Sequence, residues 1–162
     1  MGKGKKEYYV YVIGLKPEFA ATKKAKQQNP EFKPGLYKKC YYVGYSSKTP
    51  EERYHQHITG YINKKGHNIS SPVVFKYGYK KNGLRHKKYR KYNPISTQEE
   101  AMKIEVELAE KLRKNGHCIY QKWNASGLYN FLLAEIQGLV LFLILGVGLG
   151  LLKLLKRGKN DW

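Results

Sequence analysis

The sequence predicts a small domain of mixed helix and strand, α+β or α/β, ending near residue 125 and followed by a C-terminal hydrophobic segment. Three observations lead there. Short β-branched and aromatic runs alternate with stretches that open on helix-capping residues. A length of 162 residues leaves room for one domain and an appendage. Residues 138 to 152 form fifteen consecutive positions without a charged or polar side chain.

Residues 1–7 are a basic N-terminal segment. The apolar run after it, Tyr8 to Gly14, is too short and too Tyr-rich for a signal peptide, and Lys6 breaks the myristoylation pattern. Tyr8-Tyr-Val-Tyr-Val-Ile13 reads as one strand and Cys40-Tyr-Tyr-Val-Gly-Tyr45 as a second. Between them, residues 15–39 are rich in Lys, Gln and Pro and read as a mobile basic loop. Thr49-Pro50-Glu51-Glu52 is a capped start for a helix reaching about Ile58. Ser71-Pro72 starts a shorter helix, Val73 to Tyr77, closed by Gly78. Residues 84–92 read as a third strand with one strongly basic face. The longest helix is capped by Ser96 or Thr97, with Glu99 or Glu100 reaching back, and ends at Gly116. His117 to Gln121 follows as a short strand or extended segment.

Charge narrows the function. With 31 Lys and Arg against 12 Asp and Glu the chain carries +19, of which residues 1–127 hold +17. Residues 53–98 contain eleven basic side chains and no acidic one. Such a field favours a polyanionic partner, nucleic acid or an anionic membrane surface, over an acidic protein or a lone small metabolite. Lys64, Lys65, Arg85, Lys87, Lys88, Arg90 and Lys91 are the candidate nucleic-acid contacts. The only Asp is Asp161, so a site needing several clustered carboxylates has only Glu to draw on. Cys40 and Cys118 are far apart and show no zinc-ligand spacing, which fits a reduced, intracellular chain.

Two helices bring chemistry to one face. At 100° per residue, Ala101, Leu108, Ala109 and Leu112 fall within 60° of Glu105, which therefore sits inside the apolar stripe. A carboxylate there is paired with an Arg or Tyr, protonated, or bound to a cation. On the preceding capped helix Arg53 and His57 lie one turn apart, with His55 on the opposite side. They make either a phosphate clamp or part of an ordinary exposed basic face.

Read in order, Tyr9-Val10-Tyr11, Tyr42-Val43-Gly44, Arg53, His57 and Ala101-x-x-x-Glu105 resemble the GIY-YIG nuclease domain over roughly residues 8–125. The resemblance implies an α+β fold with a three-stranded antiparallel sheet flanked by helices. It also implies phosphodiester hydrolysis with one divalent metal, Mg²⁺ or Mn²⁺. Tyr11, Tyr42, Arg53, His57 and Glu105 then correspond to catalytic positions, and Glu105 to the metal ligand. His57, with an ordinary pKa near 6.5, is a candidate base beside Tyr11 or Tyr42. The first motif lacks its glycine, and Gln121 or Asn124 stands where the family carries a late Asn.

Residues 128–157 read as a hydrophobic membrane-anchor helix, followed by a short tail, 158–162. The apolar window 131–155 is about 25 residues, long enough for a bilayer of about 30 Å. Gly146-Val-Gly-Leu-Gly150 permits close helix packing and so a homodimer through this segment. The expectation is a membrane-tethered, metal-dependent DNA endonuclease facing the cytoplasm, with RNA as a possible substrate. The competing expectations are a GIY-YIG-like module that binds nucleic acid without cutting, and a basic membrane-surface protein.

Overall fold

The computed structural model of the chain describes residues 6–122. The expected anchor, residues 128–157, the tail after it and Asn124 lie outside the described residues. Among the described residues no helix is long and apolar enough to cross a membrane.

Two strands, β1 (Tyr9–Leu15) and β2 (Cys40–Ser46), pair antiparallel, with Tyr11 opposite Gly44 and Ile13 opposite Tyr42. A third, β3 (Cys118–Tyr120), lies on the other side of β2. β3 runs parallel to β2, pairing Cys40 with Cys118 and Tyr42 with Tyr120. The sheet is therefore mixed, which corrects the expected antiparallel one. The long helical connection after β2 returns the chain to the end where β2 began, so the next strand runs in the same direction.

The helices are α1 (Lys23–Gln28), α2 (Pro50–Thr59), α3 (Pro72–Tyr77), α4 (His86–Tyr89) and α5 (Gln98–Lys114). The expected starts hold. Thr49 and Glu52 form a reciprocal capping box on α2, Ser71 caps α3, and Thr97 caps α5 by accepting from the Glu100 N–H. Gly116 closes α5 at φ 74°.

Two expectations are corrected. Residues 84–92 are not a strand. Only Leu84 bridges to Ile13, after which the chain coils into α4 and a 3-10 turn, Arg90–Tyr92. That stretch has no β-branched residue to favour a pleated surface. Residues 15–39 are not all loop, since a 3-10 turn, Pro17–Ala21, and α1 occupy the first half and bury Phe19 and Ala25.

That insert protects one edge of the sheet. Asn29 Nδ2 donates to the Ile119 carbonyl and its Oδ1 accepts from the Ile119 N–H, each at 2.8 Å. Gln28 makes the same double exchange with the backbone of Gln121, at 3.0 and 3.1 Å. Two side-chain amides thus imitate a neighbouring strand and cover β3, whose bare edge would invite pairing with another chain. The outer edge of β1 is closed similarly, with Asn93 exchanging two bonds with Val10 at 2.9 and 2.8 Å. Further along, the Arg85 N–H donates to the Val12 carbonyl at 2.9 Å.

Candidate active site

The register sets the site's floor. Side chains alternate across a sheet, so Tyr11 and Ile13 of β1, Tyr42 and Gly44 of β2 and Tyr120 of β3 share one face. The Tyr11 and Tyr42 rings lie 6.0 Å apart and both are almost wholly buried. Gly44 makes this possible. A Cβ there would stand 2.8 Å from the Tyr11 hydroxyl and 2.9 Å from Cε1 of Tyr42, so only glycine lets the first tyrosine cross β2. Gly44 thereby has a packing reason.

Over this floor α2 presents Arg53 and His57, one turn apart. The His57 ring is 0% exposed and packs edge-on to Tyr42, with centroids 5.3 Å apart. Its Nδ1 accepts the Ser71 backbone N–H at 2.8 Å. The neutral ring therefore carries its proton on Nε2, which donates to the Tyr11 hydroxyl oxygen at 3.0 Å. Burial, helped by the Arg53 charge, pushes His57 down to about 3. His57 thus stays neutral and its one basic lone pair is occupied. These two bonds suit a positioning group for Tyr11 better than a base near neutrality.

Arg53 is half-buried and donates from Nη1 to Gln56 Oε1 at 2.9 Å and from Nη2 to the Ile69 carbonyl at 2.8 Å. A guanidinium has five N–H donors, so it can anchor through these two and still offer others to an anion.

Glu105 behaves differently. It is 3% exposed on α5, among Ala101, Leu108, Ala109 and Leu112 as the periodicity predicts. Among the described residues nothing donates to it and no cation pairs with it, and burial alone pushes its carboxyl up to about 8. It lies close enough to oppose ionisation of both phenols. Tyr11 is pushed up to about 12, by burial first, with Arg53 pulling the other way. Tyr42 is raised well above 10, by burial and then by Tyr11 and Glu105. The five residues therefore form one electrostatic cluster, nearly uncharged near neutral pH apart from Arg53.

The seven candidate nucleic-acid contacts divide by environment. Lys64, Lys65, Lys87, Arg90 and Lys91 are exposed. Arg85 and Lys88 are half-buried, stacked over Tyr79 at 5.4 Å and Tyr41 at 4.9 Å. Gln121, the candidate replacement for the late Asn, is buried with its Oε1 accepting from Arg113 at 3.2 Å. It ties α5 to β3 and α1. A cleft of about 910 Å³ is lined by Leu15, Phe32, Cys40 and Cys118, with Lys26, Lys39 and Arg85 also on its wall. None of the five site residues lines it.

Sequence reasoning missed Ser71 and the Ile69 carbonyl, which hold His57 and Arg53. A backbone group carries no residue identity, so no signal pointed to them. Comparison with known proteins yields no match, whether to a family model, a curated protein or a solved structure.

Proposed function

We propose that the domain is a divalent-metal-dependent endonuclease of the GIY-YIG type that hydrolyses phosphodiester bonds in DNA, held at a membrane by residues 128–157 with the domain in the cytoplasm. The observation that carries the enzymatic reading is Glu105. Burial raises Glu105 to about 8, so ionising it near neutral pH is costly unless a cation is supplied, and a bound divalent ion would supply one. It faces two phenols in a cluster that also holds an arginine with donors to spare.

A carboxylate oxygen is the type of donor that Mg²⁺ or Mn²⁺ takes. Among the described residues no three His, Cys, Asp or Glu side chains cluster, so Glu105 would be the protein ligand, with water and phosphate oxygens completing a hard-oxygen shell. When bound there, the ion would supply Lewis-acid stabilisation of negative charge on the phosphodiester. The remaining work falls to the chain. Arg53, oriented by Gln56 and Ile69, stabilises charge developing on the phosphoryl group. The His57 Nε2–H fixes the Tyr11 oxygen as an acceptor, so the phenol's own proton points elsewhere. Burial outweighs Arg53 and keeps Tyr11 a neutral phenol, so its role would be to orient the attacking water by a hydrogen bond rather than to take its proton. Tyr42 packs His57 and Tyr11 into place.

The test is cleavage of plasmid DNA by the full-length chain in detergent with Mg²⁺ or Mn²⁺, comparing wild type, Arg53→Ala and Glu105→Ala. Cutting by wild type and loss in both variants supports the reading. Equal cutting by all three, or none under any salt and metal condition, sinks it, and retention of DNA without cutting favours the binding module. Independently, Mn²⁺ should raise the melting temperature of wild type and not of Glu105→Gln. For the tether, a full-length chain found wholly in the soluble fraction removes the membrane claim.

A further inference from the structure

We propose that the hairpin of residues 61–69 is the element that grips duplex DNA beside the cleaved bond. This deepens the nuclease reading and rests on it. The hairpin is closed by backbone bonds from the Ile69 N–H to the Tyr61 carbonyl at 3.2 Å and from the Asn63 N–H to the His67 carbonyl at 2.9 Å, with Ile62 bridged to Asn68. Its turn is fixed by the Asn63 side chain, whose Oδ1 accepts from the N–H groups of Lys65 and His67 at 3.0 and 2.9 Å. Gly66 completes the turn at φ 78° with nothing within 4 Å of the place a Cβ would occupy. The tip, Lys64 and Lys65, is therefore presented on a defined frame.

Below the tip, Ile62 is 59% and Tyr61 42% exposed. Two cations for phosphates, flanked by an apolar pair for sugar and base edges, suit a nucleic-acid backbone and groove. An anionic bilayer offers similar chemistry. The site's own geometry favours DNA. The strand leaving the hairpin is held at Ile69 by Arg53 and at Ser71 by His57, each at 2.8 Å. The candidate phosphate ligand and its neighbour thus grip the base of the cationic finger, so DNA lying against Arg53 runs beside Lys64 and Lys65.

The experiment measures binding of labelled duplex DNA to the full-length chain without divalent metal, and then cleavage with Mn²⁺. Lys64→Ala/Lys65→Ala should weaken binding by about tenfold or more and lower the salt dependence by about two counterions. Gly66→Val, which keeps both charges but strains the left-handed turn in open space, should weaken it in the same direction. Lys23→Ala/Lys24→Ala, which removes the same charge from exposed positions on α1, should change affinity far less. If wild type binds and cuts while the hairpin variants match the α1 control, the hairpin assignment fails and the nuclease reading stands. If wild type neither binds nor cuts, both fail. Loss of binding to phosphatidylserine vesicles with DNA affinity intact overturns the assignment in favour of a membrane contact.

Discussion

The two helices that supply the candidate site do so in opposite ways. On α2 the functional side chains are committed, with both His57 ring nitrogens hydrogen-bonded and Arg53 tied to Gln56 and Ile69. On α5, Glu105 is buried at 3% exposure with no described partner. Committed groups fix geometry before a ligand arrives, which is what a transition-state-stabilising arginine requires. An uncommitted buried carboxyl is the group that, on the proposed function, a metal ion would complete. The difference separates a framework from a receptor within one cluster.

Removing a group from either helix gives the largest expected effect. Arg53→Ala should lower the DNA cleavage rate by about 10²- to 10³-fold, the range for loss of one preorganised donor. Glu105→Gln should lower it at least as far. Single-turnover cleavage separates the two helices further. Arg53→Lys, which keeps the charge but cannot reproduce the bonds to Gln56 and Ile69, should recover little activity. Substantial rescue by Lys would mean that charge, rather than the held geometry, is what α2 contributes.

The same contrast appears in stability against pH, read in chelated buffer. Glu105 is raised from 4.5 to about 8, so the folded state binds the proton more tightly. Its contribution is full below 4.5 and is lost as pH rises to about 8. His57 is lowered from 6.5 to about 3, and its contribution is present above 6.5 and lost as pH falls towards 3. Together they leave a plateau between 4.5 and 6.5 with a fall on each side. Each limb slopes at about 1.4 kcal/mol per pH unit. Glu105→Gln should flatten the alkaline limb and let stability keep rising from pH 4.5 to 6.5, and His57→Gln should flatten the acid limb and let the fall begin near 4.5. Denaturant titrations across pH check this, and a Glu105→Gln curve parallel to wild type above pH 7 contradicts the uncommitted carboxyl.

How much of this contrast was legible in the sequence follows from distance along the chain. Glu105 in the apolar stripe, the Thr49 and Thr97 caps and the pairing of Arg53 with His57 all rest on residues within a turn or two of one another, where helical periodicity reports directly. The commitments of α2 were hidden because their partners are backbone groups at positions 69 and 71. The ordered half of the 15–39 insert was hidden for another reason. Its decisive contacts join Asn29 to Ile119 across a sequence separation of 90, and no local pattern encodes such a clasp. The basic run 84–92 misled because charge says which surface a segment presents and nothing about strand or helix. The parallel direction of β3 is a property of the whole connection after β2.

Packing at the floor should yield a smaller effect. Gly44→Ala places a methyl against the Tyr11 hydroxyl and the Tyr42 ring and should destabilise by about 1–3 kcal/mol. Because the displaced ring carries the oxygen bonded to His57, cleavage should fall by more than the stability loss explains at temperatures where the variant is fully folded. A fall in melting temperature with unchanged turnover would detach the tyrosine from the chemistry.

The helix starts give the finest test. Thr49 and Glu52 exchange bonds in both directions on α2, at 3.2 and 3.1 Å, whereas Thr97 on α5 accepts one, from Glu100 at 3.1 Å. Thr→Ala at either start should lower stability by about 1 kcal/mol, with Thr49 the costlier because its loss also removes the hydroxyl's bond to Glu52 Oε2 at 3.2 Å. The functional consequences should diverge more than the stabilities. The Arg53 N–H closes the first turn of α2 on the Thr49 carbonyl at 2.9 Å, so fraying there moves the guanidinium directly. Glu105 lies two turns inside α5, beyond the reach of end fraying. Thr49→Ala should therefore reduce cleavage measurably at a temperature where Thr97→Ala does not. Equal losses would show that α2 is held by its contacts with residues 69–71 rather than by its cap.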